Sequence, residues 1–159
     1  MKKVTIYTDG ACSGNPGRGG YGIILAYGAR EKEMSAGYVK TTNNRMELLG
    51  VIRALEALKE PCEVTLYSDS KYVIDAITEG WARTWQKNGW KRKGGKAQNP
   101  DLWERLLALL DIHPLTCVWV KGHADNEKNN RCDKLAVEAA AGENLLRDTV
   151  YEETVAEGM

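Results

Sequence analysis

Four acidic side chains, those of Asp9, Glu47, Asp69 and Asp133, are the candidates for chemistry in this sequence. Asp9 and Asp69 each follow a run of β-prone residues, and Glu47 and Asp133 each lie in the first turn of a predicted helix. Clustered carboxylates repel one another unless cations neutralise them, and hard oxygen ligands select Mg²⁺ or Mn²⁺ over Zn²⁺. Two such ions about 3.5–4 Å apart activate a water and stabilise the leaving oxygen of a phosphodiester. The four carboxylates therefore predict a metal site that hydrolyses a nucleic-acid backbone.

The neighbouring residues help to decide between a metal site and a simpler explanation of these acids. Taken alone, an acid at a helix start is explained by its attraction to the helix dipole. Asp9, however, is followed by Gly10 and a glycine-rich loop, which lets a substrate backbone approach closely. His123 lies in a polar loop ten residues before Asp133 and is a candidate general base or proton shuttle. His113 stands before a proline and is predicted to be structural.

Charge is distributed unevenly along the chain. The 22 Lys and Arg residues balance the 22 Asp and Glu residues, but six of the cations and none of the acids lie between Gly80 and Pro100. The rest of the chain therefore carries a net charge of −6. A basic block on an otherwise acidic protein suggests a face that binds a polyanion, although a solvated lysine-rich loop explains the charge alone equally well.

The remaining composition is that of an ordinary globular protein. The chain has 159 residues, enough for one domain with its own core. Its four cysteines form no C-x-x-C pair, which favours free, mostly buried thiols over a zinc ribbon. The N-terminus reaches an aspartate too early for a signal peptide, and the apolar runs are too short to span a bilayer. We therefore expect a cytoplasmic monomer with no membrane partner.

Hydrophobic patterns predict the elements that position these side chains. Strands are predicted over residues 4–8, 21–27, 31–39, 63–67 and 116–120, and helices over residues 45–59, 71–79, 101–110 and 131–141. Asn43 and Asn44 are candidate caps of the first helix. An α/β fold accounts for this order, with a five-stranded mixed sheet flanked by helices on both faces. Residues 1–142 form one domain, and the acid-rich residues 143–159 are expected to be a frayed, flexible tail.

Five sequence pieces carry a resemblance to a known family. They are, in order, YTDGACSGNPG, TTNNRMEL, YSDSKYV, WVKGHA and RCDKLA. In this order and approximate spacing they closely resemble the bacterial type 1 ribonucleases H, over nearly the whole of residues 3–142. The resemblance implies a ribonuclease H-like fold and an endonuclease that hydrolyses the RNA strand of an RNA–DNA hybrid, leaving 3′-hydroxyl and 5′-phosphate ends.

The resemblance also implies a role for each residue of the predicted metal site. Asp9 would bridge two Mg²⁺ ions, for which Mn²⁺ could substitute. Glu47 would ligate one ion and contact a ribose 2′-hydroxyl next to the cut. Asp69 would complete the ligands of the first ion and orient the attacking water, and Asp133 would hold the second ion. His123 would assist proton transfer or product release.

Substrate contacts are implied in the same way, since reading 2′-hydroxyls is how a protein distinguishes RNA from DNA. The hybrid would meet Gly10, Cys12 and Asn15 in the RNA minor groove, Asn43 and Asn44 between the strands, and Thr42 and Arg45 at a DNA phosphate. Residues 81–100 resemble the basic handle with which the family grips the DNA strand. The candidate contacts in this handle are Trp81, Trp85, Lys87, Trp90 and Lys91. Core packing is the simpler explanation for at least one of the three tryptophans.

The sequence departs from the family pattern at a few positions. Lys71 stands where a glutamine often contacts the hybrid, so that contact is expected to become a phosphate contact. Thr84 stands where an asparagine often supports the phosphate pocket, and Asp125 and Asn130 also differ. These departures bear on rate and metal preference, because the candidate catalytic positions all carry the expected residue.

The same sequence pieces argue against other classes of function. Integrases, transposases and junction resolvases use clustered carboxylates on a related sheet, but the handle and the TTNNRMEL piece argue against them. A module that binds hybrids without cutting would have lost a carboxylate, and none is lost here. A generic soluble domain does not explain five ordered pieces.

Overall fold

One five-stranded mixed sheet forms the frame of the protein, for which a computed structural model describes residues 1–121 and 126–157. In chain order the strands are β1 (Lys2–Ser13), β2 (Gly17–Tyr27), β3 (Arg30–Thr41), β4 (Cys62–Ser68), β5 (Lys91–Arg92), β6 (Gly95–Lys96) and β7 (Leu115–Trp119). The large sheet has the order β3-β2-β1-β4-β7, and β5 pairs with β6 in a separate hairpin. Strands β1 to β3 are antiparallel, whereas β4 runs parallel to both β1 and β7. The predicted mixed sheet is confirmed.

Six helices lie between and after the strands in the described residues. They are α1 (Asn43–Glu56), α2 (Lys71–Thr78), α3 (Trp81–Lys87), α4 (Pro100–Leu110), α5 (Glu127–Ala140) and α6 (Thr149–Glu157). Helix α1 is capped by Thr42, whose side chain accepts a hydrogen bond from the Arg45 N–H at 3.2 Å, and not by Asn43 or Asn44 as predicted. Within the described ranges, no helix is both long enough and apolar enough to cross a membrane.

Alternate residues of β2 show that α1 and α5 cover opposite faces of the sheet. Tyr21 lies against Gly50 of α1, whereas its neighbours Gly20 and Gly22 lie against α5. Successive side chains of a strand point to opposite faces, so the two helices must lie on either side. A side chain at Gly22 would collide with the Cys132 carbonyl, and this absence of a side chain lets α5 rest directly on the sheet.

The hydrophobic core lies between the sheet and the α1 face. Ile6 and Leu66 point into it from adjacent strands, and Ile52 and Trp103 reach it from α1 and α4. Fully burying an aliphatic side chain of this size contributes about 1.5–3 kcal/mol. This core holds together the elements that carry the predicted acidic residues.

Several elements differ from the sequence prediction because pairing and packing extend them. Strands β1 and β2 continue through the predicted glycine loop, with Cys12 opposite Gly19 and Ser13 opposite Arg18. The basic handle contains α3 and the β5–β6 hairpin, neither of which was predicted. Helix α5 begins at Glu127, earlier than predicted.

The chain after Gly142 also differs from the expected frayed tail. Leu146 pairs with β3: its N–H donates to the Gly37 carbonyl at 2.8 Å, and its carbonyl accepts from the Val39 N–H at 2.9 Å. Asp148 is buried, and α6 follows it. The physical reason is a tertiary ion pair, because the Asp148 carboxylate accepts from the buried Arg45 guanidinium at 2.7 Å.

Asp148→Ala should destabilise the protein by about 3 kcal/mol, because the buried Arg45 guanidinium keeps Asp101 but loses its second carboxylate partner and the acceptor of its Nε–H. Urea unfolding with and without the substitution measures this change. Glu153→Ala, an exposed acid on the same tail, is the matched control and should change stability little. Equal effects of the two substitutions would show that the tail is not held through Asp148.

Candidate metal centre

Three of the predicted acids come together at one end of the sheet. Asp9, Glu47 and Asp69 each offer a carboxylate oxygen, and these oxygens all lie within 4.8 Å of one another. Strands β1 and β4 run parallel and their pairing ends at Tyr7 and Tyr67, so both aspartates emerge at the same edge. Asp9 and Glu47 are buried, and Asp69 is half-buried.

Glu47 reaches this site because α1 passes unusually close to β1. A side chain at Gly10 would place its Cβ 2.7 Å from the Glu47 backbone nitrogen, so only glycine permits this approach. The Gly10 N–H in turn hydrogen-bonds the Glu47 carboxylate. The glycine after Asp9 therefore brings the helix to the strand and helps to orient the second carboxylate.

Asp133 joins the group from the α5 side. It is exposed, and it forms a hydrogen bond with the Asp9 carboxyl group. Because α1 begins at Asn43 and α5 at Glu127, both Glu47 and Asp133 lie in the second turn of their helices and not in the first, as the sequence predicted. The helix dipole acts mainly within the first turn, so it does not explain why these acids are there.

The electrostatics of the site are strongly unfavourable without a cation. Burial, then the charges of Glu47 and Asp69, raise the pKa of Asp9 far above its ordinary value. Burial, then the charge of Asp69, raise the pKa of Glu47. The Glu47 Oε2 atom is buried and has no hydrogen-bond partner among the described residues. An all-oxygen donor set with an unsatisfied buried oxygen fits a hard divalent cation.

Of the two histidines in the sequence, the structure describes His113 only. His123, the candidate proton shuttle, lies outside the described residues. His113 is buried, and its Nδ1 accepts a hydrogen bond from the Cys62 N–H at 3.1 Å. That bond ties the end of α4 to the start of β4, so the prediction of a structural role for His113 is confirmed.

The residues predicted to contact a hybrid line the surface beside the carboxylates. The Asn15 side-chain oxygen accepts a hydrogen bond from the Asn43 N–H at 3.1 Å, which joins the β1–β2 turn to the start of α1. The Cys12 thiol, partly exposed, contacts the carbonyl oxygens of Gly14, Gly17 and Thr41. A cavity continues from this surface and is lined by Asn15, Thr42, Asn44 and Arg45 together with residues of α4 and α6, among them Asp101, Tyr151 and Thr154.

Arg45 is the predicted contact whose surroundings differ most from expectation. Its five N–H groups all point to internal acceptors: Nε and Nη2 donate to Asp148, Nη1 and Nη2 to Asp101, and Nη1 also to Asn99. Burial raises the pKa of Asp101, but the hydrogen bond and the charge of Arg45, together with backbone hydrogen bonds, outweigh burial and the net pKa is lowered. A direct phosphate contact by Arg45 would require one of these bonds to break.

The tryptophans of the basic handle, residues 81–100, occupy three environments. Trp85 packs edge-on against Trp103, with ring centroids 6.1 Å apart, and both Trp85 and Trp90 pack against the core. The Trp90 Nε1 donates to Glu104 at 3.1 Å, and Trp81 is 48% exposed. Lys87 and Lys91 are exposed beside them. The handle therefore presents cations and one open indole ring to solvent.

A further aromatic residue lies at the site and was missed by sequence reasoning. The Trp119 Nε1 donates to the Asp69 carbonyl at 3.3 Å, and the Lys71 ammonium group lies 4.4 Å from the centre of the Trp119 ring. The only signal in the sequence was that Trp119 is the first residue of the WVKGHA piece, at the end of a predicted strand. Thr84, another departure from the family pattern, donates its hydroxyl to the Gly80 carbonyl at 3.1 Å.

The fold and the acidic cluster together define an α/β protein of the ribonuclease H-like class. The chain belongs to the RNase H family, whose sequence model matches residues 1–141.

Individual relatives agree with this assignment. A ribonuclease H of Syntrophus aciditrophicus is 60% identical over 152 residues, which cover 95% of this chain and 88% of that protein. A ribonuclease HI of Synechocystis sp. is 58% identical over 86% of each chain. The crystal structure of LC9-RNase H1, a type 1 RNase H with the type 2 active-site motif, is similar with a TM-score of 0.79 at 34% identity, over 98% of this chain and 82% of that chain. LC11-RNase H1, solved in complex with an RNA/DNA hybrid, has a TM-score of 0.64 at 26% identity, over 87% of this chain and 96% of that chain.

The metal-free protein should lose stability as the pH rises from about 5 to about 8. The pKa values of Asp9 and Glu47 are raised in the folded state, so the folded protein holds protons that the unfolded chain releases above about pH 4. Thermal midpoints in excess chelator at a series of pH values measure this fall. Asp9→Asn should flatten it, whereas Glu63→Gln, an exposed acid at the far end of the sheet, should leave it unchanged. A wild-type midpoint that rises over this range would contradict the raised pKa values.

Proposed function

We propose that this protein is an endonuclease that hydrolyses the RNA strand of RNA–DNA hybrids by a two-metal-ion mechanism, leaving 3′-hydroxyl and 5′-phosphate ends. The observation that carries the proposal is the cluster of Asp9, Glu47 and Asp69 within 4.8 Å, with Asp133 hydrogen-bonded beside it. The relatives support the substrate, since one of them, LC11-RNase H1, was solved with an RNA/DNA hybrid bound.

The four acids are assigned complementary tasks at this site. Asp9 contacts groups on both sides of the cluster, which suits it to hold two Mg²⁺ ions, with Glu47 and Asp69 completing one set of ligands and Asp133 the other. When bound, Mg²⁺ supplies Lewis-acid activation of a water and stabilises the leaving oxygen of the scissile phosphate. Exposed Asp133 leaves its side of the site open to solvent, where a substrate phosphate can enter. We assign to His123 the transfer of a proton or the release of product.

The surface around the carboxylates suits a hybrid better than a DNA duplex. Asn43 and Asn44 begin α1 directly beside the β1–β2 turn that carries Asn15, so donors and acceptors for 2′-hydroxyls lie on the helix that also carries Glu47. Gly10 and Cys12 lie on β1 just past Asp9, along the path assigned to the RNA strand. Contacts to 2′-hydroxyls across a shallow minor groove are how proteins recognise RNA-containing helices.

The DNA strand is assigned to the cavity beside α1 and to the basic handle. Thr42 and Asn44 line the cavity and offer polar groups to a phosphate, while Arg45 supports it through Asp101 and Asp148. Lys71 stands at the other edge of the site, over Trp119, and offers a second cation. Exposed Trp81 and the handle cations extend this face, and such contacts supply affinity that depends on salt.

Asp9→Asn should abolish cleavage while leaving hybrid binding in place, because it removes a metal-binding charge without changing the side-chain shape. The assay uses four labelled duplexes of one sequence: RNA–DNA hybrid, RNA–RNA, DNA–DNA, and the hybrid with excess chelator. The wild-type protein should cut only the RNA strand of the hybrid and only with free metal. Glu63→Gln, an exposed acid at the far end of the sheet, is the control and should keep wild-type turnover. Cutting of duplex DNA, or near-normal turnover by Asp9→Asn, would contradict the proposal.

Replacing Lys91, Arg92 and Lys93 with alanine should weaken hybrid binding and reduce the slope of log affinity against log salt by up to about three. Binding titrations in chelator at several salt concentrations measure that slope. The control replaces Lys3, Arg30 and Lys59, three exposed cations at the opposite end of the sheet, and removes the same charge. If both triple variants change the slope equally, the handle is not a specific contact.

A further inference from the structure

Asn129 occupies a central position among the elements that carry the carboxylates. It lies on α5, four residues before Asp133, and its side chain is fully buried. Its side-chain nitrogen donates two hydrogen bonds, one to the Thr8 carbonyl at 3.2 Å and one to the Tyr67 carbonyl at 3.1 Å. These carbonyls belong to β1 and β4, so one amide group joins a helix to two neighbouring strands.

The two bonds fall where the strands would otherwise separate. Backbone pairing between β1 and β4 ends at Tyr7 and Tyr67, and Asp9 and Asp69 follow immediately after this point. Thereafter β4 ends at Ser68, while β1 continues alongside β2. The distance between the two aspartates is therefore not set by the backbone ladder, and Asn129 spans the strands just before they diverge.

We propose that Asn129 is a positioning residue for the metal centre, which sets the separation of Asp9 and Asp69 and fixes both relative to Asp133 on its own helix. The inference rests on the proposed function and deepens it, since it assigns the geometry of the site to a residue that contacts neither ion nor substrate. Outer groups that orient metal ligands typically change metal affinity or activity about 10–100-fold when they are replaced.

The chemistry of the side chain suits this task and little else. Both neighbouring acceptors are carbonyl oxygens, so the amide must turn its NH₂ group toward them, and an aspartate of the same shape would oppose them with oxygen lone pairs. Its Oδ1 atom and the nearby Thr8 hydroxyl are both buried without a hydrogen-bond partner in the described part of the chain. Burying unsatisfied polar atoms costs free energy, and the two hydrogen bonds to the strand carbonyls offset that cost. The two hydrogen bonds of this side chain go to the strands, at Thr8 directly before Asp9 and at Tyr67 two residues before Asp69.

Asn129→Ala tests the proposal through metal binding without substrate. The Mg²⁺ concentration that half-saturates the rise in thermal midpoint should increase about tenfold, and kcat on the hybrid should fall by a similar factor with little change in KM. Glu138→Ala, at an exposed position on the same helix, is the matched control and should match the wild type in each measurement. A wild-type Mg²⁺ dependence and kcat in Asn129→Ala would overturn the proposal. Failure of the wild type to cut hybrids would refute the proposed function but would leave the Mg²⁺ measurement interpretable.

A measurement on the wild-type protein covers the case in which Asn129→Ala folds poorly. The side-chain amide protons of Asn129 should exchange slowly with solvent, and their NMR resonances should shift as Mg²⁺ binds and draws the two strands to their final separation. Resonances of the exposed Gln86 side-chain amide should exchange quickly and stay in place. Asn129 resonances that do not move at saturating Mg²⁺ would show that the amide is not coupled to the site.

Discussion

Repulsion between buried carboxylates is the constraint on which the rest of this structure depends. Asp9 and Glu47 are buried next to each other, with Asp69 within 4.8 Å, and taking a charged carboxylate out of water costs several kcal/mol. The hydrophobic core between β1, β4 and α1 offsets this cost. The folded protein therefore keeps repulsive carboxylates close together, and protons or divalent cations reduce that repulsion. For this reason pH and divalent metal are expected to change stability as well as activity.

Helix α1 also carries a buried cation, Arg45, whose charge is balanced by acids of the protein itself. Arg45 lies two residues before Glu47, and its guanidinium is saturated by Asp101 and Asp148 from distant parts of the chain. The acidic site remains open to an ion from solvent, whereas the basic one is closed by the protein itself. Closing it fixes the C-terminal segment against β3 and α1, so the tail becomes part of the wall of the cavity beside the site.

Much of the fold followed from local patterns. Alternating and helical periodicities identified the five sheet strands and most of the helices, because burial of one face imposes a period that the sequence must carry. The short elements of the handle escaped detection, since Trp85 is ordered by its contact with Trp103 and not by its neighbours. The extension of β1 into a glycine-rich stretch likewise depends on pairing with β2, which no local pattern reveals.

The sequence by itself pointed to the side chains that we propose carry the chemistry, because Asp9, Glu47, Asp69 and Asp133 each sit in a recognisable piece. It also determined the family and the mixed sheet. Only the tertiary structure decided how these residues are supported: the close approach of α1 at Gly10, the five internal bonds of Arg45, the capture of Asp148, and the amide of Asn129 across two strands. These are contacts between residues far apart in the chain, and their energies depend on distances that a linear pattern does not contain.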